Sequence, residues 1–191
     1  MILDVFKYYA RFPKRDGVLS AFNNGSSSLS AYAQLKTYVE SLPEQGILPE
    51  IEHLVFGQSL DEVRARIDSI TGTYLFVDFG EFNSNRDQRN SILDVQKLAV
   101  TVATKTPTAF DLVEESIISD STLLLINKLR AHLIADSEKY EWLRFLSNKH
   151  DIMPFVAPEL GESIGWTLMY SLEGSDLFDV KALIRSFNQS L

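Results

Sequence analysis

The sequence predicts an α+β domain: a mostly antiparallel sheet of three or four strands packed against two or more helices, with a helical arm in front. Three observations carry this reading. Two strand-like runs, Tyr74–Phe82 and Asp94–Thr104, are joined by the polar link NSNRDQRNS, which is too long for a tight turn but suits an antiparallel pair with a projecting loop. Ile164, Trp166, Leu168, Tyr170 and Leu172 alternate strictly with their neighbours, the period of a half-buried strand. A long helical pattern covers about 109–135, with Phe110, Val113, Ile117, Leu124, Leu125, Leu129 and Leu133 in one broad stripe.

In chain order, Ile2–Phe12 has the apolar spacing of a short amphipathic helix, which Pro13 and the Asp16-Gly17 pair are expected to end. NNGSSS at 23–28 reads as a loop, and Ser28 or Ser30 as the cap of a helix running to Ser41 with Ala31, Leu35, Tyr38, Val39 and Leu42 on one side. Pro43, Gly46 and Pro49 then make a stiff connection, which places the boundary between an N-terminal helical arm (1–45) and an α+β domain (46–191). Ser59-Leu-Asp-Glu62 has the form of a capping box, opening a helix over about 60–70 that buries Leu60, Val63, Ile67 and Ile70 and turns Arg64 and Arg66 outward. Gly72 stands where a C-cap is expected. The second strand should set Leu98, Val100 and Val102 on one face and Ala99, Thr101 and Ala103 on the other. Pro107 breaks it. The stretch at 118–122 is a candidate kink or break in the long helix, Tyr140–Leu146 is a short amphipathic segment, and Lys181–Phe187 reads as a closing helix.

Composition narrows the classes. At 191 residues, 45% hydrophobic and 11% aromatic, the chain can bury a core and does not have the make-up of a disordered protein. Its apolar runs fall far short of the roughly 20 residues that cross a bilayer. Asp4 and Lys7 interrupt the start where a signal peptide needs an apolar stretch, so the start is expected to belong to the mature chain. Zero cysteines exclude disulfides, thiolate metal sites and a cysteine nucleophile. The net charge of −8 argues against a general nucleic-acid binder, which needs clustered Lys and Arg. Lys7, Arg11, Lys14 and Arg15 beside Tyr8, Tyr9 and Phe12 suit either a small anionic contact or, more commonly, a solvated helix end.

Catalytic patterns are sparse. Neither GxxxxGK[ST] nor GxGxxG occurs, and Asp78-Phe79-Gly80 lacks the glycine loop and catalytic loop that accompany those letters in a kinase. Gly57-Gln-Ser59 is not GxSxG, and the serine has a role as helix cap. His132 falls on an apolar helix side, where a core histidine is the commoner reading, and His150 in SNKHD looks like a solvated helix end; neither they nor His53 specify a triad. Asp78, Glu81, Asp87 and Asp94 flank one hairpin and offer the oxygens that Mg²⁺ or Ca²⁺ prefer. In a regular strand, however, Asp78 and Glu81 point to opposite faces and need a bulge to converge, while Arg86 and Arg89 are ready partners for Asp87. The acids read better as a solvated or subunit-facing surface, where charge also discourages uncontrolled edge pairing. No catalytic, cofactor-binding or metal residue is assigned, and no cofactor is expected.

The order of elements, together with TYLFVDFGEF, KLAVTVATKTP, LVEESIISDSTLLLINKLRAHL and ESIGWTLMYSLEG, resembles small tail or head–tail-joining proteins of tailed phages and prophages, notably the tail-terminator type. The resemblance covers about residues 50–175 and is one of pattern, with no motif that transfers functional residues. It implies a non-enzymatic structural subunit, made in the host cytoplasm and with the virion as a second location, whose copies form a ring and contact other tail or connector proteins. Residues 1–45 lie outside it and would serve as a subunit-contact arm, their aromatics acting as interface anchors. Two alternatives stand beside this reading: a metal-dependent hydrolase using the hairpin acids, and a cytosolic adaptor that binds a protein partner through the N-terminal helices.

Overall fold

The computed structural model describes residues 2–22, 27–58, 60–86, 92–106, 111–155, 163–175 and 177. The Ser59 cap, Asp87, Arg89, Pro107, Phe110 and the closing helix at 181–187 lie outside these residues. Helices α1 (Ile2–Tyr9), α2 (Arg15–Leu19) and α3 (Ser30–Glu40) come first, followed by β1 (His53–Phe56), α4 (Leu60–Asp68), β2 (Thr73–Asp78), β3 (Phe82–Arg86), β4 (Ile92–Lys105), α5 (Leu112–Ala135), a short 3-10 helix (Glu141–Phe145), β5 (Leu146–Phe155) and β6 (Ser163–Gly174). The α+β class is as expected. The sheet is larger: six strands among the described residues, ordered β1-β2-β4-β6-β5, with β3 also paired to β4. Every pairing is antiparallel except β1 with β2, which α4 connects.

Alternation along β4 separates two faces. Leu98, Val100 and Val102 lie opposite Tyr170, Leu168 and Trp166 of β6, and Val100 and Val102 also oppose Val77 and Leu75 of β2. With Leu54 of β1, these residues form the main core under α1 and α5. Ala103 and Tyr74 face the other way, into a smaller cluster with Val55 and with Val63, Ile67 and Ile70 at α4. Burying a large apolar side chain of this kind contributes about 1.5–3 kcal/mol, so the main core dominates stability.

Several expectations change here. The Asp16-Gly17 pair does not end a helix but lies inside α2, where Gly17 packs so closely on the Glu52 carbonyl that no Cβ would fit. Neither Ser28 nor Ser30 caps α3; its N-cap is Leu29, with no side-chain hydrogen bond. The long helix is continuous through 118–122 and starts from Asp111, whose Oδ1 accepts from the Val113 and Glu114 amides at 2.8 Å, with Glu114 reaching back to complete a capping box. His150 is on β5, opposite Tyr170, rather than at a helix end.

Helices α1, α2 and α3 each contribute to the main core. Val5, Tyr9 and Phe12 are 0% exposed, and Tyr8 is 2% exposed. Tyr8 meets Tyr9, Tyr140 and Trp142 edge-on at 5.1–5.4 Å between ring centres. The backbone continues the docking, with the Ile47 amide donating to Arg11 O and the Leu48 amide to Phe12 O, both at 2.9 Å. Tyr8, Tyr9 and Phe12 therefore anchor the fold itself.

Two polar links fix α1 in this apolar setting. The Tyr9 and Tyr170 hydroxyls meet at 2.7 Å, fully buried, and burial pushes both phenols above their ordinary value. At the other end Asp136 collects the Tyr8 hydroxyl at 3.2 Å, Arg11 at 3.3 Å and Lys139 at 2.8 Å. Burial opposes its charge, but hydrogen bonds from Lys139 and Arg11 outweigh that and hold the carboxyl below its ordinary value of 3.8.

Tyr9→Phe leaves the Tyr170 hydroxyl buried and unpaired, and should lower stability by about 1–3 kcal/mol in urea unfolding. Adding Tyr170→Phe should cost less than the two single changes summed, because the partner left stranded is then removed as well. Asp136 sets a pH dependence. Its proton binds more weakly in the folded chain than in the unfolded one, so its contribution is present above about pH 4 and is lost as pH falls further. Stability measured from about pH 6 down to about pH 3 should fall less steeply in Asp136→Asn than in the parent.

Candidate functional site

The hairpin acids are placed by one glycine. Asp78 pairs with Ala99 and Phe82 with Gln96, so residues 79–81 oppose only Lys97 and Leu98. The extra residue is a β-bulge, and β2 and β3 are two halves of one bent strand. Gly80 sits in the bulge at φ +66°, and a Cβ there would run into the Lys97 carbonyl. Asp78 Oδ1 accepts the Gly80 amide at 2.9 Å, Gln96 Nε2 donates to Phe79 O at 3.1 Å, and the Gln58 side chain donates to Gly80 O. Phe79 stacks on Phe56 with ring centres 5.1 Å apart. The Asp-Phe-Gly letters thus encode a turn in a sheet.

The bulge reverses the parity of the residues beyond it. Glu81 comes over Lys97, 3.6 Å from its Nζ, on the same face as Asp78. The opposite-face expectation for these two acids is therefore corrected. Asp94 lies on the other face, 4% exposed, paired with Ser84 and accepting its hydroxyl. Asp87 lies outside the described residues. Asp78 holds a backbone amide, Glu81 a lysine and Asp94 a serine, on two sides of the sheet. Among the described residues, no three His, Asp or Glu side chains gather where a cation could sit.

Lys7 is exposed in the last turn of α1, as a solvated helix end would be, whereas Arg11, Lys14 and Arg15 have partners within the fold. Arg11 stacks over Tyr8 at 4.4 Å and Tyr140 at 4.9 Å while it pairs with Asp136. Lys14 pairs with Glu52 at 3.1 Å, Arg15 donates to Leu42 O at 3.3 Å, and Lys7 lies 5.8 Å over the Tyr38 ring. The histidines are dispersed. His132 meets Phe12 edge-on at 5.6 Å, as a core-facing histidine would. His150 accepts from Arg130 at 3.4 Å, and burial and that guanidinium both lower its pKa. Burial, then Arg66, does the same to His53.

What stands open is apolar. The broad stripe expected on α5 is two stripes. Leu125, Leu129 and Leu133 are buried, whereas Leu112, Val113, Ile117 and Leu124 are 57–80% exposed. Ile117, Leu124 and the exposed Ala131 recur every seven residues, with Val113 four residues before Ile117, so they form one narrow seam on the outer side of the helix, in which the exposed Asp120 and Asn127 also stand. A second open region lies on the opposite layer. Among the described residues, α4 covers the smaller face of the sheet at β1, β2 and the Ala103 end of β4, and beyond it Met153 and Met169 on β5 and β6 are 42% and 39% exposed. Sequence patterning placed Val113, Ile117, Leu124, Leu125, Leu129 and Leu133 on α5; the heptad spacing of Ile117, Leu124 and Ala131 was the available sign that they form a stripe of their own.

Gly80→Ala should destabilise the protein by about 1–3 kcal/mol in urea unfolding. Gly57→Ala, whose Cβ would meet only Val63 Cγ2 at an ordinary 3.5 Å, should change it much less and serves as the control.

Among the described residues, no helix is long and apolar enough to cross a membrane. The chain matches no protein-family model, and comparison with curated proteins and with solved structures finds no match.

Proposed function

We propose that the chain is a non-enzymatic structural subunit that works by head-to-tail association of its own copies, as a component of a phage-like or prophage tail or head–tail junction assembled in the host cytoplasm. The observation that carries this reading is the pair of exposed apolar regions on opposite layers: the outer seam of α5, and the open sheet region around Met153 and Met169. Two different patches on opposite sides of one molecule favour a contact in which the α5 seam of one copy meets the sheet face of the next. Such a contact repeats, and it closes into a ring when the rotation between copies divides a full turn. The hairpin acids favour no hydrolase by comparison, since Asp78 and Glu81 stand on one face and Asp94 on the other. The phage setting rests on the pattern resemblance of residues 50–175, and genes for tail-tube or portal proteins beside its own would support it.

Sedimentation velocity over a range of concentrations tests the association. The parent should form oligomers larger than a dimer. Ile117→Arg blocks one patch and Met169→Arg the other, so each variant alone should be monomeric. Mixed together they retain one complementary pair of patches and should give a 1:1 dimer that grows no further. A parent that stays monomeric at high concentration, or variants that assemble like the parent, would sink the proposal.

A further inference from the structure

A cleft of about 760 Å³ lies between the N-terminal helices, β1 and α4, a size ordinary for a small-molecule site. Its walls are aromatic. Phe6 meets Phe22 and Phe56 edge-on, with ring centres 6.0 and 5.3 Å apart, and Phe22 meets Tyr32 in the same way at 5.3 Å. Into this apolar setting α4 places Arg66, which is half-buried and not outward-facing as its helical position had implied. Its neighbour Arg64 does face outward and lies 3.9 Å from Asp68.

Arg66 is under-used where it stands. One terminal nitrogen donates to the Ser20 hydroxyl, and Nε is buried with no partner. Among the described residues it makes no ion pair, although Glu62 stands on the rim of the same cleft. A guanidinium carries five donors in a flat fork shaped for a carboxylate, and taking it out of water with no anion opposite is unfavourable. Positive charge at one end and ring faces along the walls define a complementary ligand: one anionic head on a flat or short apolar body.

We propose that this cleft is a binding site for a small amphipathic monoanion, an aryl- or alkyl-carboxylate, whose head pairs with Arg66 and whose body lies among Phe6, Phe22, Tyr32 and Phe56. The site is independent of the α5 seam and the open sheet face, so it stands or falls apart from the assembly reading.

The probes are 4-phenylbutyrate and its neutral amide, 4-phenylbutyramide, titrated into the ¹⁵N-labelled full chain and followed by amide shifts. The carboxylate should move the amides of 54–57 and 62–69, and should bind about tenfold or more tightly than the amide, as a charge-assisted pair implies. Arg66→Gln should remove that preference and leave amide binding unchanged. Ala65→Trp, from an exposed position on the cleft wall, should weaken both probes. If Arg66→Gln does not fold, the preference within the parent still reads the role of the charge. No shifts at millimolar probe, shifts confined to α5, or equal binding of carboxylate and amide in the parent would each overturn the proposal.

Discussion

The structure depends on how α1 enters the main core. A helix that buries Tyr8 and Tyr9 brings two hydroxyls into an apolar interior, and each needs a partner there. Tyr170 in the middle of β6 and Asp136 just after α5 supply them. These two links connect residues more than a hundred positions apart, so they fix the beginning of the chain against its last described strand and its longest helix. Apolar contact alone would tolerate sliding or rotation of α1 over the sheet. A 2.7 Å bond between two buried hydroxyls does not, because any shift leaves both unsatisfied. Arg11 adds to the same constraint, its guanidinium spread between the Tyr8 and Tyr140 rings while it reaches Asp136.

A second constraint acts through the backbone. The strand holding Asp78 runs through Gly80 into β3, and one inserted residue turns the side chains beyond it over. Without the bulge, Glu81 would face the core side beside Asp94, and Phe82 would lose its place opposite Gln96. With it, both Asp78 and Glu81 lie on the side away from α5, and the core keeps its apolar alternation. The Asx-type bond from Asp78 to the Gly80 amide shows the aspartate acting on its own backbone. A carboxylate so used shapes a turn rather than a reaction.

How much of this was legible in the sequence depends on what periodicity can report. The strands around Tyr74, Leu98 and Leu168 and the helix over 112–135 are long or strictly patterned, and patterning alone locates them. β1 has four residues between a proline-rich connection and a helix, too few to show a period. β5 lies at the sheet edge and mixes Asn148, Lys149, Asp151 and Pro154 with few buried side chains, so its composition reads as loop. The parity of Glu81 was illegible because a bulge depends on pairing, and pairing is not written locally. Likewise the spacing of Val5, Tyr8, Tyr9 and Phe12 shows an apolar helix face without showing what covers it; here the cover is the main core. The role of Arg66 was hidden for the same reason, since an outward position on α4 becomes a cleft wall only once Phe22 and Tyr32 are brought across from it.

The edges of the sheet also bear on how copies can meet. Strand addition needs a free edge with regular donors and acceptors. β5 carries Pro154, which has no N–H to give, and Lys149 and Asp151 pair with each other at 3.1 Å, placing charge along that edge. An edge guarded in this way disfavours strand addition at β5. The main face is covered by α1 and α5, which leaves the outer side of α5 to meet solvent there; among the described residues, the other face is covered where α4 reaches. Under the proposed head-to-tail association, two unlike apolar regions on opposite layers favour a directional chain of subunits over a symmetric pair.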